Sequence, residues 1–225
     1  MTSPTPNLEI HLHNVDGSLE KYIQSETDRI QQVLNDFQPA QIFCREHIII
    51  AVENSLTIYA TRQVVRIDLV SESSVHWVLP PGIVEAVELT EAEFRALHQD
   101  PEMIDRWKQA QAQDTSLVAF LQLETAGQPP LFLAMEIQLP PPDGLETVLP
   151  LLAAPALCFR MRNGGVAALN LAHLVRFTFF PALQPPPPNA WPANRVNETV
   201  SQPEAGIFHG APAGRASLCH SRSGD

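Results

Sequence analysis

The chain is poor in charge, and poorer still in positive charge. It has 14 Lys and Arg against 25 Asp and Glu, a formal net charge of −11. An acidic protein repels phosphate backbones, and no run of Lys or Arg makes a local basic patch, so sequence-independent nucleic-acid binding is disfavoured. Cysteine is nearly absent: Cys44, Cys158 and Cys219 show no paired spacing and no C-x-x-C. A sparse, odd count suits reduced thiols in the cytoplasm and not a disulfide framework. No apolar run approaches the roughly 18 residues of a membrane-crossing helix, and the start "MTSPTPNLEI" lacks a basic segment followed by an apolar one. A cytoplasmic chain without membrane contact is therefore expected.

The acidity is uneven. Residues 1–114 carry 18 acidic against 8 basic side chains, and residues 115–180 carry 4 against 3. The first half reads as a solvated unit. The second, nearly uncharged and apolar, reads as a unit that covers something or is covered.

The two halves share a plan. "LEIHLH" (residues 8–13) alternates with Leu8, Ile10 and Leu12 on one face, the pattern of a half-buried strand. Asp16-Gly17 marks a hairpin turn, and "LEKYI" returns from it. A helix follows, with Asp28 and Gln31 as a capping pair, Ile30, Val33, Leu34 and Phe37 as its apolar stripe, and Pro39 as its stop. Short strands are expected near 41–44, 47–52 and 55–60, and "VVRIDLV" closes the unit near residue 70. The second half begins with strands "VAFLQLE" and "LFLAMEI" about the turn "TAGQPP". A helix capped by Asp143 and Glu146 and striped by Leu145, Val148, Leu149 and Leu152 follows, shortened or kinked by Pro150. Strands near 156–161 and 165–169 flank the turn "RNGGV", and "LVRFTFF" closes. The sequence thus predicts an α+β chain: a tandem duplication of a small antiparallel β-rich module (ββ-α-βββ), at residues 7–70 and 117–181. A helical connector (71–116) joins them, with a helix capped by Thr90 through Glu93 and another starting at Pro101. A disordered, proline-rich tail (182–225), including the run 185–188, follows.

Few residues suggest chemistry. His11 and His13 project from one face of the first strand, and with a two-residue turn Glu20 would lie opposite His13. Two imidazoles and a carboxylate are a donor set that zinc accepts, which would make the chain a metal-dependent hydrolase. The competing expectation is that this face is simply solvated. Arg66 and Arg176 recur at equivalent positions of the closing strands, where they either pair with a carboxylate, mark a ligand pocket or cover the core edge with their stems. Cys44 and His47 lie three apart, without a recognisable third member of a nucleophilic constellation. Gly164-Gly165 lacks the helix and lysine of a phosphate loop. No catalytic set and no cofactor motif emerges. The expectation is a non-enzymatic protein-interaction or regulatory module that binds a protein partner or self-associates through its second module.

Overall fold

The front half begins with the antiparallel pair β1 (Leu8–Asn14) and β2 (Leu19–Gln24), in a computed structural model that describes residues 7–52, 54–71, 79, 82–113, 116–138, 151–181, 191 and 193. Then come helices α1 (Thr27–Asp36) and α2 (Pro39–Ile42), the hairpin β3 (His47–Val52) and β4 (Ser55–Ala60), a 3-10 turn (Thr61–Gln63) and β5 (Val64–Ser71). The middle holds β6 (Ile83–Leu89), α3 (Glu91–His98) and α4 (Pro101–Gln113). The back half holds β7 (Ser116–Thr125), β8 (Leu131–Gln138), β9 (Ala156–Arg160), β10 (Val166–Asn170), a 3-10 turn (Leu171–His173) and β11 (Leu174–Phe180). Among the described residues the chain is mixed α+β, rich in sheet and with few helices. No helix there is long and apolar enough to cross a membrane.

Nine strands form one sheet in the order β11-β7-β8-β6-β9-β10-β5-β1-β2, and β3-β4 stands as a separate two-stranded sheet. All neighbours in the large sheet are antiparallel except β6 and β9. The sheet runs without a break across both halves of the chain, because β10 pairs with β5.

Directly paired residues share a face of a sheet, so the registers sort the core. On the front face Leu12, Ile67, Leu69, Cys158, Val166 and Ala168 are buried under Ile30 of α1, Phe37 at its C-terminal cap and Tyr59 of β4. On the back face Leu121, Leu123, Leu133, Met135, Leu157, Phe159, Ala167 and Leu169 pack together with Leu151. The helices α3 and α4 cover the front face at the other end of the sheet, where Phe94 meets the rings of Phe132 and Phe180. The weakly charged second half is thus covered by the residues that precede it.

Two three-stranded sets are laid out alike. β1 pairs with β2 and β5, and β7 with β8 and β11. Leu12 faces Glu20 in the first hairpin and Leu123 faces Leu131 in the second, the same eight-residue separation. A bulge interrupts β5 at Val65, since His13 pairs with Arg66 and Asn14 with Val64. A bulge interrupts β11 at Val175, since Glu124 pairs with Arg176 and Thr125 with Leu174. A three-residue 3-10 turn precedes β5 and β11 alike. The turns of the two hairpins also touch: Gln128 Nε2 donates to the carbonyl of Asn14 at 2.8 Å. A Cβ on Gly127, whose φ is +71°, would fall 1.9 Å from the Val15 carbonyl oxygen, so this close approach requires glycine.

Several local expectations change. Residues 41–44 form no strand; Pro39 opens α2 instead of merely ending α1, as its missing N–H and fixed φ favour. The cap of α1 is Glu26 without a side-chain bond, and Asp28 sits inside the first turn, where its charge suits the helix dipole. The capping box of Thr90 and Glu93 forms as read. The middle segment is not only helical, because "IVEAVEL" is strand β6. Residues 151–153 are helical, but most of the helix expected over 143–152, its caps and Leu145, Val148 and Leu149 lie outside the described residues, as does nearly all of 182–225. Leu152 is exposed and its neighbour Leu151 is buried.

Candidate functional site

Among the described residues, charged side chains concentrate next to the core on the back face of β1 and β5. His13 is opposite Arg66 and His11 opposite Asp68, which places all four on that face. Asp68 is buried and receives two bonds, one from His13 Nε2 at 2.9 Å and one from Arg66 Nε at 2.5 Å. Arg66 also approaches Glu88 of β6 at 3.5 Å and the Met161 sulfur at 3.2 Å, with its guanidinium carbon 5.0 Å from the centre of the Phe159 ring. Burial alone would raise the pKa of Asp68. The bond from His13 and the charge and bond of Arg66 outweigh it and hold the carboxyl below its ordinary 3.8.

This cluster shows where the expected site residues fall. Four residues separate β1 from β2, so the turn is longer than two residues. Its length shifts the register by one, and Glu20 pairs with Leu12 while His13 pairs with Leu19. Glu20 therefore sits on the front face, where it accepts from Tyr59 Oη at 2.6 Å and Tyr22 Oη at 3.1 Å. Tyr59 also bonds Tyr22 directly, and its pKa is raised by burial, by Glu20 and by Tyr22. The set His11, His13 and Glu20 is thus split between the two faces, and among the described residues no three His, Cys, Asp or Glu side chains converge as metal ligands. Nor is the histidine face simply solvated: the His13 and His11 side chains are only 20% and 14% exposed.

Arg66 and Arg176 both pair with carboxylates. Arg176 bonds Glu124, which occupies the place on β7 that His13 occupies on β1. Sequence reading missed Asp68, the hub of the network. The signal was available: the alternation of "RID" against "HLH" puts both acid and base on one face of an antiparallel pair. Cys44 is an exposed thiol and His47 an exposed strand residue paired with Ala60; no bond links them among the described contacts. Gly164 and Gly165 make the β9–β10 turn as read, with Gly164 at φ +88°. Chemically, the Asp68 network holds an imidazole and a guanidinium in place without presenting a nucleophile beside them. It fits a structural tie between β1, β5 and β6.

A second feature is apolar. In the β3–β4 hairpin Ile48 faces Tyr59 and turns toward the core. On the outer face Ile49 is opposite Ile58 and Ala51 is opposite Leu56, and all four are exposed. No protein-family model, curated protein or solved structure matches this chain.

Proposed function

We propose that the chain is a non-enzymatic protein-interaction module, built from two copies of one β-rich unit. The observation that carries the interaction reading is the outer face of β3–β4: Ile49, Ala51, Leu56 and Ile58 form a contiguous apolar surface facing solvent. Contiguous exposed apolar surface on a soluble protein is uncommon and marks contact sites. Among the described residues the hairpin also stands apart from the large sheet, with its outer strand edges unpaired and open to backbone pairing. Matched bulges at Val65 and Val175, equal hairpin separations and repeated 3-10 turns support the duplication. Divergence after duplication accounts for the uneven charge of the halves.

The test is a photoreactive amino acid at position 58 of the chain in its host cell, with position 36 as the control. The expected result is a protein adduct of defined mass at 58 and none at 36. No adduct at 58 would overturn the interaction reading.

A further inference from the structure

We infer that the β3–β4 hairpin docks against the β11 edge of a second copy of this chain, in the way that β9–β10 docks against β5 within one copy. The internal contact is the template. β10 runs antiparallel to β5 with Val166 opposite Leu69 and Ala168 opposite Ile67. Both partners have counterparts 110 residues away. β5 starts at Val64 and β11 at Leu174; β10 ends at Asn170 and β4 at Ala60. Each pair of elements is joined by the same three-residue turn.

Burial separates the contact that is made from the one that is not. Val166 and Ala168 of β10 are 2% and 0% exposed, whereas their counterparts Leu56 and Ile58 are 61% and 56% exposed. The bulge residue Val65 is 0% exposed and its counterpart Val175 is 72% exposed. Among the described residues β11 has a neighbour on one side only, and β4 pairs only with β3. Among the described residues, therefore, the β4 edge of one hairpin and the β11 edge are unpaired, and they match, position for position, a hairpin edge and a strand edge that pair. Carried over by the 110-residue offset, the template puts Leu56 opposite Phe179, Thr57 opposite Thr178 and Ile58 opposite Phe177. Such a contact joins different surfaces of two identical chains, so it closes into a ring or extends as a chain of copies. The net charge of −11 on each copy opposes it, so added salt strengthens it.

A second copy as partner presupposes that the hairpin face is a binding surface, as proposed above, yet the two can fail separately. Light scattering on the full chain is expected to give a mass of at least twice 24.8 kDa, rising with concentration and with salt. Ile58→Lys and Val175→Lys are expected to weaken association at least about tenfold, about 1.4 kcal/mol or more. Ile23→Lys, at an equally exposed site on β2, leaves it unchanged. The register is tested in a Cys44→Ser, Cys219→Ser background. Copies carrying Ile58→Cys mixed with copies carrying Phe177→Cys, or Thr57→Cys mixed with Thr178→Cys, give a covalent pair of chains that neither variant gives alone. A monomer under all conditions overturns the inference, as does cross-linking within one chain when both cysteines share a copy. Association that appears only after removal of residues 182–225 also overturns it, and assigns the edge to that segment. A monomer that still forms an adduct at position 58 with a different protein leaves the interaction reading standing without this one.

Discussion

Replacing Asp68 with Ala removes the hub on which β1, β5 and β6 are tied. The side chain of Asp68 is only 6% exposed and that of Arg66 17%, so both charges are largely out of water. Without Asp68, Arg66 keeps only the longer approach to Glu88 at 3.5 Å and the Met161 sulfur, and His13 loses its partner. Breaking a buried ion pair on one side costs about 3–5 kcal/mol because the remaining charge is stranded. The residual exposure of Arg66 and the nearby Glu88 place this case at about 3 kcal/mol, a fall in Tm of roughly 6–12 °C for an ordered body of this size. Urea unfolding followed by circular dichroism measures it. The pH dependence gives an independent check. The folded-state pKa of Asp68 is lowered from 3.8, so its contribution is present in full well above 3.8 and is lost as pH falls through the lower folded value. The gap between wild type and Asp68→Ala must therefore narrow in acid. The double variant Arg66→Met, Asp68→Leu, which removes both charges, is expected to cost less than the single one. A single variant within about 1 kcal/mol of wild type, a gap indifferent to acid, or a double variant as unstable as the single refutes the reasoning.

Two glycines with positive φ separate strain from collision. Gly127→Ala meets the Val15 backbone and is expected to cost at least about 3 kcal/mol, whereas Gly164→Ala, with nothing within 4 Å, pays only the left-handed penalty of about 1–2 kcal/mol; equal losses in urea unfolding count against the contact of the two turns. The thiol of Cys158 is buried and its pKa is pushed up to about 12, while Cys44 is exposed. Alkylation of the native protein near pH 8, mapped by mass spectrometry, is expected to label Cys44 and to spare Cys158 until unfolding; equal labelling would show that the β9–β10 pair opens freely.

Much of the local structure was legible because short-range chemistry decides it. Alternation along "LEIHLH" and "VVRIDLV", the capping box at Thr90 and the proline at the start of α4 act within a few residues, and each produced the element expected. The failures lie where the deciding contact is distant. "IVEAVEL" carries little helical or strand signal of its own and becomes β6 because β8 offers it an edge. The length of the first turn decides on which face Glu20 falls, and a one-residue difference moved it from His13 to the two tyrosines.

By itself the sequence determined most of the strands of the two halves, since backbone propensity and apolar period are written residue by residue. It also determined that Arg66 and Arg176 would sit at like places in like strands. Which hairpin enters the large sheet was decided only by the tertiary structure. β9–β10 and β3–β4 are both short, apolar and followed by the same turn, yet β9–β10 closes against β5 and is buried, while β3–β4 stays outside with Leu56 and Ile58 in solvent. Pairing of this kind depends on which edge lies within reach once the chain has turned, a property of long-range topology that no local pattern encodes.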